Sequence, residues 1–376
     1  MKNFIRVPLF AIIVLFVVYL FLPKYTQKAL IYWYANIDDY EIFENRTVAA
    51  SKPFPWPFSE NYNQIELGAS YEDSLKKYET TAFLVIQDTA ILYERYFEGY
   101  DEKSISNSFS AAKSIVSLLV GIAIFEADIE SVFQPVSDFL PRFKEGDLAN
   151  ITIRDLLTMS SGLEWDEGYA SPFSVTTEAY YGNDLKAMVN QLEPEELSGQ
   201  RFQYKSIDTQ VLAEVLEIAT GQSISDYAQN RLWRKIGAEQ DALWSLDRAG
   251  GMEKAFCCFN STARDFARIG QLVLNKGRSL EGVQVVHPDY IEMATKPAQY
   301  SRKEEAIDHY GYQWWIVHYK GKAIPYARGI LGQYIFVLKD KGAVVVRLGK
   351  KRSKSYRNDH PVDVYGYLDA AYELLK

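Results

Sequence analysis

From Ser110 to Ala127 the sequence predicts a helix that is apolar on nearly every side, with Ile115, Val116, Leu118, Leu119, Val120, Ile122, Ile124 and Phe125 distributed around it. A helix of that kind has to be buried, so the rest of the chain must supply layers on more than one flank. Ahead of it, Ala82-Phe83-Leu84-Val85-Ile86, a polar Gln87-Asp88-Thr89 turn and Ile91-Leu92-Tyr93-Glu94-Arg95-Tyr96 predict a β-hairpin. Behind it the pattern turns helical. Thr152-Ile153-Arg154-Asp155 has capping-box form, and helices are expected near Thr209–Thr220, stopping at Gly221, and near Ser225–Ile236, stopping at Gly237. Another, capped by Asn260-Ser261-Thr262, carries Phe266, Ile269, Leu272 and Val273. Strands return at Tyr310–Val317, Ala327–Leu338 and Ala343–Leu348, before an amphipathic helix from Val362 to Leu375. Strands at both ends around a helical middle predict an α+β fold: one sheet built from the two chain ends, with an all-α lobe, roughly residues 128–285, inserted between them. The cleft between the lobes is the expected site.

Composition narrows the function. At 376 residues, 48% of them apolar, the chain can bury a large two-lobed core. Its net charge of −8, without a long basic run, argues against a nucleic-acid partner. The histidines, His287, His309, His318 and His360, have no metal-ligand spacing, so neither metal nor cofactor is expected. Cys257 and Cys258 are neighbours, which bridge only with strain, and are expected as two small buried apolar side chains.

At the N-terminus, Lys2 and Arg6 precede an uncharged run from Val7 to Leu22, near the lower limit for a membrane-spanning helix. The residues after it, Leu22-Pro23-Lys24-Tyr25-Thr26-Gln27-Lys28, offer no small-residue cleavage signal, so residues 1–24 are expected to be an uncleaved transmembrane anchor. Lys2 and Arg6 would stay inside, placing the remainder on the extracytoplasmic face, periplasmic or cell-surface. Residues 25–66, aromatic and Pro-rich around Pro53-Phe54-Pro55-Trp56-Pro57, are expected as an extended connector, with the folded domain over residues 67–376.

Chemistry concentrates at the head of the buried helix. In Ser110-Ala111-Ala112-Lys113 the serine and lysine share a helix face. A lysine whose pKa is lowered by burial can activate a serine, and a helix N-terminus favours an oxyanion. A second Ser-x-x-Lys, Ser74-Leu75-Lys76-Lys77, has no apolar helix behind it, and its lysine would be solvated.

With Ser110 to Ser114, the blocks Ile151-Thr152-Ile153-Arg154-Asp155-Leu156-Leu157-Thr158-Met159-Ser160-Ser161-Gly162-Leu163 and Tyr204-Lys205-Ser206 resemble, in order, those of class C β-lactamases and penicillin-binding proteins. Within that family, Ser160 to Trp165, Cys257-Cys258 before Ala263-Arg264-Asp265, and Gly329-Ile330-Leu331-Gly332-Gln333 are most similar to 6-aminohexanoate-dimer hydrolases. The resemblance spans roughly Thr80 to Leu348 and implies a β-lactamase-like antiparallel sheet flanked by helices. It implies that Ser110 is acylated, that Lys113 and Tyr204 share proton transfer, and that backbone N–H groups of Ser110 and Ile330 form an oxyanion hole. Tyr169, Ser206, Ala327 and Gly329 are implied as substrate-binding positions.

Two departures stand out. Ser206 replaces the usual Asn of the tyrosine block, where Tyr181-Gly182-Asn183 is the rival triplet. Where β-lactamases carry Lys-Thr-Gly, this chain has Ala327-Arg328-Gly329, and strand alternation turns Arg328 away from the site. A small neutral amide or ester is therefore expected in place of a carboxylate-bearing β-lactam. The expected function is a serine hydrolase working through an acyl-enzyme; the alternative is a membrane-tethered module that binds or senses ligand without efficient turnover. Oligomeric state is left open.

Overall fold

The computed structural model describes residues 12, 14–298 and 307–376. In chain order its strands are β1 (Asn45–Val48), β2 (Thr80–Gln87), β3 (Ala90–Tyr96), β4 (Ser106–Asn107), β5 (Ala242–Ser245), β6 (Phe259–Ser261), β7 (Trp315–Tyr319), β8 (Lys322–Gly329), β9 (Gln333–Leu338) and β10 (Ala343–Gly349). The main sheet runs β3-β2-β10-β9-β8-β7 with antiparallel neighbours, so strands from the two chain ends meet where β2 pairs with β10, Val345 opposite Val85. β9 and β10 are buried along their whole length, because the sheet is covered on both faces. On one face Phe83, Val85, Phe336 and Val345 pack with Val364, Tyr367 and Leu368 of the closing helix Val362–Leu374. On the other, Leu84, Ile335, Val344 and Val346 pack with the helix Ala263–Leu274 and the central helix Ala112–Phe125.

The central helix is enclosed, as its sequence requires. Every residue from Ala112 to Ala123 is buried, and each of its large apolar side chains contributes roughly 1.5–3 kcal/mol by leaving water. Gly121 is required by packing, since a Cβ there would lie 2.5 Å from the Tyr290 ring.

Several expectations are corrected. The inserted lobe is not all-α: β5 and β6 lie inside it and form a second sheet in the order β1-β5-β6-β4. Residues 25–66 are not an extended connector. They contain the helix Lys24–Tyr32 and β1, which pairs with β5 with Asn45 opposite Ser245. β1 is short and mostly polar, with only Val48 buried, so its strand character comes from a partner far along the chain. The strand expected over Ala327–Leu338 is two strands, broken by a turn at Ile330–Gly332 where Leu331 has φ +60°. The helix expected over Ser225–Ile236 is α-helical only from Ile224 to Ala228, and a single π-turn, Gln229–Trp233, follows it. Cys257 and Cys258, expected as two small buried apolar side chains, are buried but joined to each other in a disulfide.

The span expected over Val7–Leu22 lies partly outside the described residues. Residues 14–21 are helical, with Leu15, Phe16, Leu20 and Phe21 exposed. Among the described residues no helix is long and apolar enough to cross a membrane.

Candidate active site

Ser110 sits in a 3-10 turn, Phe109–Ala111, that feeds directly into the central helix. Phe109 is forced to φ +45°, a conformation that costs on the order of 1–3 kcal/mol for a bulky residue. The surroundings hold it there: Phe109 N donates to Asn107 Oδ1 at 2.8 Å, and Ser108 N to Phe259 O at 2.9 Å. Lys113 follows one turn later and is buried. Its Nζ lies 3.0 Å from Ser110 Oγ, 3.1 Å from Ser206 Oγ and 2.8 Å from Phe256 O. Burial pulls its pKa down from 10.5 to about 8, with Glu167 and Asp208 opposing the shift through their charge.

Tyr204 stands just ahead of the helix Ser206–Thr220, its ring centroid 5.2 Å from Lys113 Nζ. Burial and then the charge of Glu167 push its phenol up, while a hydrogen bond with Ser110 opposes them. The ring packs at 5.4 Å on Trp315, which carries the Arg328 guanidinium on its face. Arg328 is therefore on the strand face opposite Ala327, where it donates to Asp359 O at 2.8 Å. Tyr181, the rival tyrosine, is elsewhere, stacked on Tyr32 and beside Phe43.

The end of β8 closes the site. A Cβ at Gly329 would fall 2.1 Å from Ser108 O, so only glycine lets this strand come against the Ser110 turn. Ile330 follows in the turn, and two buried side chains hold that turn. Arg347 donates to Leu331 O at 2.9 Å and Gly332 O at 2.8 Å, while Gln333 donates to Ile330 O at 3.3 Å and Gly349 O at 2.6 Å. Ala327 is fully buried in the core it shares with the central helix, not presented to a cleft.

Ser206 is also buried, its hydroxyl taken up between Lys113 and a carboxylate that no sequence pattern announced, Glu167. Ser206 N and Trp165 Nε1 each donate to Glu167 Oε2 at 2.7 Å, and Ser206 Oγ donates to Oε1 at 2.5 Å. The Tyr169 hydroxyl donates to Oε1 as well, although the residue is 54% exposed. Asp208, one turn along the helix from Tyr204, is fully buried and its carboxyl is pushed up to about 8 by burial, with Ser161 Oγ donating to it at 2.6 Å. Among the described residues no group of three or more His, Cys, Asp or Glu side chains could hold a metal ion.

The α+β fold and this site define a serine hydrolase. A family model described as Beta-lactamase matches residues 69–365, and the chain belongs to that family. It is 26% identical over 325 residues to a 6-aminohexanoate-dimer hydrolase of Paenarthrobacter ureafaciens, covering 81% of each chain. Among solved structures, one from Bacillus anthracis, provisionally assigned as a 6-aminohexanoate-dimer hydrolase, superposes with a TM-score of 0.78 at 23% identity, covering 90% of this chain and 93% of that one. A family VIII carboxylesterase gives 0.63 at 15% identity, over 82% of this chain and 99% of its own.

Proposed function

We propose that the protein cleaves a small uncharged amide or ester through an acyl-enzyme on Ser110. The observation that carries this is the Lys113 amine, buried, lowered to about 8 and 3.0 Å from Ser110 Oγ. Lys113 takes the serine proton as Oγ attacks the carbonyl carbon. The N–H groups of Ser110 and Ile330 receive the oxyanion; the close approach licensed by Gly329 supports that pairing. Tyr204, whose phenol is raised and favours the protonated form, gives its proton to the leaving group and takes in its place the proton that Lys113 received from Ser110. Water then attacks the acyl carbon by the same route in reverse. The placement of Arg328 on the strand face opposite Ala327, stacked on Trp315 and bonded to Asp359 O, supports an uncharged substrate, and the names of the relatives agree with cleavage of an amide or an ester.

The protein is further proposed to be held at a membrane by its N-terminal apolar run, with the folded part outside. Support comes from the exposed Leu15, Phe16, Leu20 and Phe21 and from Trp33 and Tyr34 beyond them, aromatic residues of the kind that gather at bilayer interfaces.

An activated fluorophosphonate tests the acyl-enzyme. Labelling of the full chain that disappears in Ser110→Ala is expected, and absence of labelling, or equal labelling of both, overturns the reading. Comparing 6-aminohexanoate dimer, p-nitrophenyl butyrate and nitrocefin tests the substrate class; rapid nitrocefin turnover contradicts the uncharged-substrate reading.

A further inference from the structure

The hydrogen bonds around Glu167 have a direction, and the direction reaches Ser110. A carboxylate accepts and has nothing to donate. Its oxygens here take Ser206 N, Trp165 Nε1, Ser206 Oγ and the Tyr169 hydroxyl. The single hydroxyl proton of Ser206 is thus committed to Glu167, and Ser206 Oγ faces Lys113 Nζ, 3.1 Å away, only as an acceptor. Phe256 O, 2.8 Å from the same nitrogen, is a carbonyl and also only accepts. A neutral amine has two N–H groups and one lone pair. With two of its three partners fixed as acceptors, the lone pair is left for the third, the Ser110 hydroxyl.

We propose that Glu167 is a positioning residue which, by holding the Ser206 hydroxyl as a donor, fixes the Lys113 amine with its lone pair toward Ser110. The inference rests on the acyl-enzyme reading. In the step it serves, the Ser110 O–H bond breaks and its proton joins Lys113 Nζ. The oxygen electron pair forms the bond to the substrate carbonyl carbon, and the carbonyl π pair moves to oxygen. Glu167 takes no proton in this step, much as the aspartate of a Ser-His-Asp triad orients its histidine. It also faces Lys113 as a charge, the Asp208 carboxyl adds to it only once ionised, and Tyr204 closes the remaining side. Removing that charge leaves the ammonium less stabilised, so the lysine gives up its proton at lower pH.

Glu167→Gln keeps the shape and reverses the direction: its amide donates to Ser206 Oγ and frees the serine proton to occupy the Lys113 lone pair. Expected for p-nitrophenyl butyrate is a fall in kcat of about 10- to 100-fold, together with a shift of the rising limb of the pH profile to lower pH. Glu167→Asp keeps the charge, so its limb should stay at the wild-type position with part of the rate restored. A wild-type rate and limb in Glu167→Gln overturn the proposal. A reduced rate with an unmoved limb and no recovery in the aspartate variant also overturns it, because that pattern is structural damage alone. Should Glu167→Gln fail to fold, Ser206→Ala decides: it removes the oriented acceptor, and an undiminished kcat overturns the proposal. Fluorophosphonate labelling of the wild type separates the two levels. Without it the acyl-enzyme fails; with it, the variants judge the positioning alone.

Discussion

At the scale of single residues, the base proposed for this site follows from what burial does to two neighbouring groups. Desolvation disfavours a charged amine and a charged phenolate alike, so it lowers Lys113 to about 8 and raises Tyr204. From about pH 8 upward the lysine is the group able to accept a proton and the tyrosine the group that holds one. The sign for pH dependence follows: the lysine is inactive as ammonium below its pKa, so acylation should climb with pH through about 8 and fall away on the acid side. A kcat/KM profile that is flat from pH 6 to pH 9 contradicts this. Lys113→Arg, with a guanidinium that does not deprotonate, should lose about 10²- to 10⁴-fold in the same assay. Tyr204→Phe should distinguish substrates, because an amine must be protonated as it leaves and p-nitrophenolate need not be. Amide cleavage is expected to fall at least about tenfold more than cleavage of p-nitrophenyl butyrate; an equal loss on both would place Tyr204 in acylation of every substrate alike.

At the scale of elements, the site exists because β8 ends against the turn that begins the central helix. Gly329→Ala puts a Cβ 2.1 Å from a backbone oxygen, Ser108 O, which has no rotamer to retreat into. The strand end must move and carry Ile330 with it. A fall in kcat of about 10²-fold, with the sheet intact by circular dichroism, is expected from one displaced oxyanion donor; a rate within twofold of wild type would remove Ile330 from the oxyanion hole. Elements also mark where the sequence could be read. The central helix, the hairpin of β2 and β3 and the Thr152 capping box were legible because each is encoded by neighbours within a few residues. That Ser110, Lys113 and Tyr204 lie together was legible through spacing and family order. Glu167 was not, since it is one carboxylate in a loop and reaches Ser206 across 39 positions of sequence. Arg347 was hidden for a similar reason: a charged residue in a run of valines signals only a strand until the turn it holds is seen. The break at Ile330–Gly332 fell inside the expected strand, although Gly329 and Gly332 bracket it, because Ile330, Leu331 and the run from Tyr334 to Leu338 carry the apolar pattern of a strand across it.

At the scale of the whole molecule, the segment between the apolar N-terminus and the first hairpin belongs to the folded body. Ile37 and Val48 are fully buried, Trp56 nearly so, and β1 completes the smaller sheet on β5. Arg268, itself buried inside its helix, donates to Phe54 O at 2.5 Å and stacks on the Trp56 ring. Three such side chains at roughly 1.5–3 kcal/mol each make up much of a stability of about 5–15 kcal/mol. Two truncations should therefore behave differently. Removing residues 1–22 takes away exposed apolar side chains and leaves this packing in place, so thermal unfolding and soluble-ester hydrolysis should stay near wild type while partitioning into lipid vesicles is lost. Removing residues 1–66 exposes the edge of β5 and strips the cover from Arg268, and Tm should drop by on the order of 10 °C or the chain should fail to fold. Equal melting of the two shortened chains would return residues 25–66 to the role of a passive connector. A first truncation that still partitions fully into vesicles would detach the membrane from the apolar run and direct attention to Trp33 and Tyr34 instead.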